Sequence, residues 1–209
     1  MSPKITLIVG SPRKNKSCNF LIDKAIEGIE STSDDLEINK LFIDNFEILP
    51  CTGCDQCLRK PYECPLSSDD DTSQLKEELV NSDAILIASP NYFGSVSSQI
   101  KLLIDRSRPW KMDNYLLQDT YFAPLVSQGV RNGGAGNVAN DLINFALIQG
   151  MIVVAALGNP VIEQNIPVTS LQKYERKSFI GKEETDELGG RIASNLGKRI
   201  AELVLKNKK

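Results

Sequence analysis

Four of the five cysteines fall within fourteen residues, as Cys51-x₂-Cys54-x₂-Cys57-x₆-Cys64 followed directly by Pro65. Three thiols spaced by two residues can wrap one small inorganic body, and a fourth can reach it after a longer loop. Zinc sites usually present two separated pairs, whereas the triple spacing marks 4Fe–4S ligation. Gly53 relieves crowding between the first two thiols, and the intervening amides can donate to sulfur. Structural zinc on the same four thiols stays open as the alternative, because thiolate suits both metals. Disulfides belong to scattered cysteines in secreted chains and fit this tight cluster poorly. Cys18 stands apart and reads as a small, half-buried residue of the first helix.

Histidine is absent. That excludes Ser-His-Asp arrangements, imidazole acid–base chemistry and His-ligated metals. With 24 Lys and Arg against 27 Asp and Glu, the net charge is −3. A nucleic-acid binder would carry a basic excess to displace counterions. The longest apolar runs, residues 5–9 and 151–157, fall far short of a membrane span. Residues 1–15 lack the apolar centre of a secretory signal. These features predict a cytoplasmic protein that binds neither membrane nor nucleic acid. At 209 residues, 41% hydrophobic, the chain can bury one core without staples, so residues 1–209 are expected to form a single domain.

The elements that must position the thiols follow from apolar patterning. Residues 4–9 are a β-branched, nearly continuous apolar run, a buried strand by composition. Phe20, Leu21, Ala25, Ile26 and Ile29 recur at helical spacing, predicting a helix over 18–30. A second strand is expected over 36–43, a third over 84–89 stopped by Pro90, a fourth over 122–127 and a fifth over 151–157. Helices are expected around Leu75 and Leu79, from Val96 through Ile104 before Pro109, through Leu142 and Phe145, and from Leu188 to Val204. Residues 44–71 interrupt the alternation with the cysteine loop and end in Asp69-Asp70-Asp71, read as a solvated run entering a helix N-terminus that favours negative charge. Strand–helix alternation builds a parallel sheet covered on both faces, and right-handed crossovers make it doubly wound. Such sheets bind ligands outside the carboxyl ends of their strands.

That rule directs attention to three loops. Residues 10–19 join the first strand to the first helix; their amides, Ser11, Ser17 and Arg13 form an anion cradle, with an ordinary polar turn as the alternative. The segment matches neither the dinucleotide nor the triphosphate glycine motif. Residues 89–96 hold adjacent Tyr92 and Phe93 before Gly94, able to flank a flat ring or to cover the core edge. Residues 128–136 are glycine-rich, so their backbone can pass close to a ligand.

On these residues the chain resembles the iron–sulfur flavoproteins, within the NAD(P)H-dependent FMN reductase-like branch of the flavodoxin fold. Gly10-Ser11-Pro12-Arg13-Lys14-Asn15 is similar to that branch's phosphate loop. Ser89 to Ser97, on to Asp105-Arg106, is similar to its isoalloxazine loop and following helix. Arg131-Asn132-Gly133-Gly134 and Gly150 to Val154 are similar to its third loop and fifth strand. The chain departs from it at Cys18, where relatives commonly carry threonine, at Gln149, where histidine is frequent, and at Gln128-Gly129, usually a glycine pair.

The resemblance implies a flavodoxin-like five-stranded sheet, order 2-1-3-4-5, with the cysteine-rich loop (44–71) inserted after strand 2. It implies FMN with its phosphate on Ser11, Arg13, Ser17, Cys18 and Asn19. The ring would lie among Pro90, Asn91, Tyr92, Phe93 and Gly94 on one side and Gln128, Gly129, Arg131, Gly133 and Gly134 on the other. It further implies a 4Fe–4S cluster on Cys51, Cys54, Cys57 and Cys64, and no catalytic side chain. The expected function is an electron-transfer flavoprotein oxidoreductase that converts two-electron to one-electron chemistry. NAD(P)H is a candidate reductant; a ferredoxin or a small molecule is the expected exchange partner, and a homodimer or homotetramer the expected assembly. Two alternatives are an NAD(P)H-dependent FMN or quinone reductase without a cluster, and a non-enzymatic module stapled by zinc.

Overall fold

The computed structural model describes residues 2–130, 132–171 and 186–207. Among these residues six strands and six α-helices run in the order β1 (Lys4–Val9), α1 (Ser17–Glu30), β2 (Glu37–Phe42), α2 (Thr72–Val80), β3 (Ala84–Pro90), α3 (Ser98–Arg106), α4 (Arg108–Met112), β4 (Tyr121–Gln128), α5 (Ala135–Ile148), β5 (Ile152–Val153), β6 (Val168–Ser170) and α6 (Glu187–Asn207). All strand pairs are parallel, in the order β2-β1-β3-β4-β5, with β6 also paired to β4. This is the flavodoxin-like order expected from the resemblance. Among the described residues no helix is long and apolar enough to cross a membrane.

Period-two alternation decides which face each strand residue covers. Ile5, Leu7, Val9, Ala84, Leu86, Ala88, Ala123 and Leu125 pack on one side with α1 and α6. Ile8, Ile85, Ile87, Phe122 and Val126 pack on the other with α2, α3 and α5. Burial on both faces explains the near-continuous apolar runs. Val9 pairs with Phe42 and Ala88, and Ala88 pairs with Leu125, so the loops after β1, β3 and β4 leave from one rim.

The structure corrects the far edge of the sheet. A strand over 151–157 is expected, but only Ile152 and Val153 pair as β5. The chain then leaves the sheet, closing a turn through Ala156 N–H to Asn165 C=O at 2.8 Å. It returns as β6 beside Val126–Gln128, so one edge position is shared by two short segments. Pro90, expected to stop β3, is instead its last residue, and the helix ending before Pro109 breaks at Ser107 into α3 and α4, with Pro109 in the first turn of α4.

Asp69-Asp70-Asp71 is also corrected. The run does lead into α2, but the Asp70 side chain is buried and its carboxylate pairs with the equally buried Arg106 side chain at 2.5 Å. Burial works against the Asp70 charge, yet donors from Thr72, the Leu49 amide and Arg106 outweigh it and hold the carboxyl below its ordinary range.

Helices α1 and α6 approach closely because each offers a glycine. A Cβ on Gly28 would stand 2.0 Å from the Ser194 carbonyl oxygen, and one on Gly197 would stand 2.0 Å from that of Ala25. Neither backbone can yield without moving its helix. Gly28→Ala and Gly197→Ala are each expected to destabilise the fold by about 3 kcal/mol. The check is a lower urea midpoint at unchanged slope; an unshifted midpoint would show that the two helices do not cross this closely.

Candidate functional site

The rim is knitted by buried hydroxyls. Gly10 N–H donates to Ala88 C=O at 2.8 Å. A Cβ at Gly10 would meet that oxygen at 2.7 Å and Ile100 at 2.6 Å, so only glycine fits the end of β1. Ser97 Oγ donates to Gly10 C=O at 2.7 Å and accepts from Ile100 N–H at 3.3 Å, while Ser97 N–H donates to Ser89 Oγ at 3.1 Å. One residue thereby caps α3 and fixes two loops to each other.

The first loop folds on Ser11, whose Oγ accepts from Arg13 N–H at 3.2 Å. Lys16 is the N-cap of helix α1, and no side chain caps the helix. Its first-turn amides, with Ser17 half-buried and Arg13 exposed beside them, are left for an anion from solvent. Cys18 stands where relatives carry threonine. It is buried, and burial drives its thiol up to about 12 against the opposing pull of the Arg13 charge and a bond with Ser127. It is therefore a neutral core group at physiological pH. Asn19 spends its amide donor on Asp23 at 2.7 Å, along its own helix.

The second loop is a tight turn. Tyr92 and Ser95 exchange backbone bonds of 3.0 and 3.2 Å, with positive φ at both Phe93 (52°) and Gly94 (83°), the type I′ geometry. Phe93 is fully exposed at the tip, and Tyr92 is exposed beside it. These aromatics do not cover the core edge; they stand free above the rim. Asn91 joins this turn to the third loop: its side-chain amide donates to Gly133 C=O, its side-chain oxygen accepts from Gly94 N–H at 2.9 Å, and its backbone N–H donates to Ser127 C=O at 2.7 Å. Both ends of the Asn91 side chain are thus committed to protein, making it a positioning residue for the two loops. Pro90 is buried beneath them.

The third loop starts at Gln128, whose side-chain oxygen accepts from Ala135 N–H at 3.3 Å. Gly134, at φ 97°, caps α5 in a conformation that side chains avoid. A Cβ on Gly133 would press on Val130 at 3.0 Å, whereas Gly129 and Gly136 face open space. Arg131 lies outside the described residues.

The cysteine loop leaves the sheet through a 3₁₀ turn at Ile43–Asn45 and is rooted by buried Ile43 and Ile48. Gly53 and Asp55 take positive φ at 67° and 58°, curling the backbone between the thiols. Cys51 and Cys54 are exposed, Cys57 and Cys64 half-buried, and all four are free thiols. The Gln56 amide and the Thr52 hydroxyl draw the Cys54 thiol below its usual range. Burial raises that of Cys57, against the nearby Arg108 charge. Arg108 is held there by Asp55 at 2.7 Å. Cys54 and Cys64 are among the residues lining a groove of about 920 Å³, which reaches Lys76 and Trp110. Among the described residues, no three Cys, Asp, Glu or His side chains converge on a single point fit for a metal ion. The four thiols share one loop without being drawn onto one centre. As a donor set they nonetheless fit a thiolate-bound iron group, with amides and a cation close by.

Residues 3–160 match the family described as NADPH-dependent FMN reductase. An iron–sulfur flavoprotein of Archaeoglobus fulgidus is 38% identical over 200 residues, covering 96% of this chain and 94% of that one. The chain belongs to the iron–sulfur flavoprotein family, within the FMN reductase branch. Another iron–sulfur flavoprotein, from Methanocaldococcus jannaschii, is 32% identical over 201 residues, covering 96% and 97% of the two chains. The flavodoxin-like fold is shared with a WrbA-like protein from Agrobacterium tumefaciens at a TM-score of 0.61 and 18% identity, over 98% of this chain and 99% of that one. Membership makes this chain a flavin-dependent oxidoreductase whose cofactor is FMN. The rim fits that cofactor: an uncapped helix start for a phosphate, and two coupled loops with exposed aromatics and open glycines for a ring.

Ser89 and Ser97 lie in the segment that resembles the isoalloxazine loop, but their role as buried tethers of the rim was not read from the sequence. For Ser97 a signal was present, because a serine just ahead of an apolar helical stripe marks an N-cap. Asn91→Ala removes the side-chain bridge to Gly133 and the bond that braces the second loop at Gly94, leaving the backbone bond to Ser127 in place. It is expected to weaken FMN binding about tenfold, the worth of one or two neutral hydrogen bonds. Fluorescence titration of the apoprotein with FMN measures this, and an unchanged affinity would show that the loops hold their places without Asn91.

Proposed function

We propose that this flavoprotein binds a 4Fe–4S cluster on Cys51, Cys54, Cys57 and Cys64 and couples two-electron chemistry at FMN to single-electron transfer. The observation that carries the reading is the set of four thiols, in the spacing of cluster ligands, on a loop that leaves the sheet at the rim end of β2. The printed names of the relatives in Archaeoglobus and Methanocaldococcus support it. When bound, flavin accepts electrons in pairs and a cubane cluster moves them singly, which is chemistry that the protein need only position and tune.

The chain's own residues have defined tasks in this reading. The α1 amides, Ser11, Ser17 and Arg13 hold the phosphate; Tyr92 and Phe93 stand at one side of the ring, and Gly133 and Gly134 offer close backbone at the other. Asn91 keeps those two sides in register. The four cysteines serve as thiolate ligands rather than nucleophiles, and Arg108 offsets part of their charge. With no histidine in the chain, protons taken up or released at the flavin would be exchanged with solvent, while backbone amides would serve as hydrogen-bond donors to the ring. NAD(P)H or a ferredoxin-like carrier supplies or removes electrons, and the protein works in the cytoplasm as a homodimer or homotetramer.

Anaerobic purification with iron, sulfide and flavin analysis tests the proposal. About four irons and one FMN per chain are expected, with Cys57→Ser losing iron while keeping FMN. Zinc in place of iron would make this an FMN or quinone reductase with a structural metal, and undiminished iron in Cys57→Ser would remove that thiol from the ligand set.

A further inference from the structure

The cysteine loop is held at its neck by one arginine. Arg106 Nη1 donates to Leu49 C=O at 2.7 Å and pairs with Asp70 Oδ2 at 2.5 Å, while Nη2 reaches Ser67 Oγ at 3.4 Å. Asp70 Oδ2 also accepts from Leu49 N–H at 3.0 Å, and Asp70 Oδ1 from Thr72 N–H at 3.0 Å. Just outside this knot, Glu47 and Asp71 bond at 2.9 Å through backbone and at 2.8 Å through the Asp71 carboxylate. Leu49 lies two residues before Cys51, and Ser67 three residues after Cys64. Both ends of the segment bearing all four thiols therefore meet at one guanidinium, whose side chain is 1% exposed against 0% for its carboxylate partner.

We propose that Arg106, acting with Asp70, is the positioning residue for the metal-binding loop: it sets the spacing from which Cys51 and Cys64 reach a shared centre. The inference rests on the four-cysteine ligand reading. Three features separate this role from ordinary core stability. A buried ion pair is a poor stabiliser, since well-packed apolar residues often serve as well, but its directional bonds can specify geometry. Those bonds reach both flanks of the thiol set, at Leu49 on one side and at Ser67 and Asp70 on the other. Arg106 also ends the helix that begins at the rim, where Ser97 is bonded to Gly10 and Ser89. Nine residues of α3 span roughly 13 Å, so flavin loops and thiol neck are referenced to opposite ends of one rigid rod.

Anaerobic titration of the full-length, cluster-free, FMN-loaded protein with cobalt(II) tests this, read by thiolate-to-cobalt charge-transfer absorbance. Asp70→Asn keeps the shape and loses the charge; it is expected to weaken cobalt binding about 10–100-fold, the usual cost of removing a group that orients metal ligands. FMN affinity is expected to stay at the wild-type value. Arg106→Lys keeps the charge without the fork, and a smaller loss with the same split is expected; it carries the test if Asp70→Asn does not fold. Unchanged cobalt affinity in a folded variant would overturn the proposal. So would a parallel loss of cobalt and FMN affinity with a lowered melting temperature, the mark of a merely structural pair. A wild-type protein that takes up no cobalt on its thiols would instead overturn the ligand set, and this inference with it.

Discussion

The buried hydroxyl of Ser97 ties the end of β1, the end of β3 and the start of α3 into one knot. Its place in the fold follows from the sheet. Parallel strands covered on both faces must send their connections out at the ends, and equal register brings the β1, β3 and β4 loops to the same rim. Those loops carry polar backbone that water cannot reach at their roots, so each root needs an internal partner. Ser97 meets the need for two of them, and Asn91 joins the second to the third. The site is thus a consequence of how the sheet ends are satisfied.

The same economy operates at the cysteine loop. A segment bearing four thiols has little apolar content with which to hold itself down; Ile43 and Ile48 root only its first arm. Directional polar bonds from Arg106, Asp70 and Asp71 supply the remaining restraint. Between those anchors the backbone turns through positive φ at Gly53, Asp55 and Tyr62. Curling of this kind suits successive ligands that must face a small centre, with amides left free to donate to sulfur.

What was legible in the sequence was what depends on local pattern. Five of the strands announce themselves through apolar runs, and the rim loops follow from the rule for parallel sheets. Features that depend on a distant partner were not legible. Asp70 looks like one charge in a solvated run, because Arg106 lies 36 residues away. Gly28 and Gly197 look like ordinary helix residues until the helices cross. β6 has three residues with little apolar weight, and it exists because β5 ends early and leaves β4 unpaired. Cys18 matches a motif position by sequence, but that its side chain is buried and its thiol held neutral shows only in the fold. The thiol spacing was visible at once, whereas the neck that holds it was not.

Whether one chain holds both a flavin and a single-electron centre in exchange is decided by anaerobic reductive titration of the purified protein. Uptake of about three electrons per chain is expected, two at the flavin and one at the cluster, with bleaching of both chromophores. An endpoint at two electrons, with flavin bleaching alone, would contradict it.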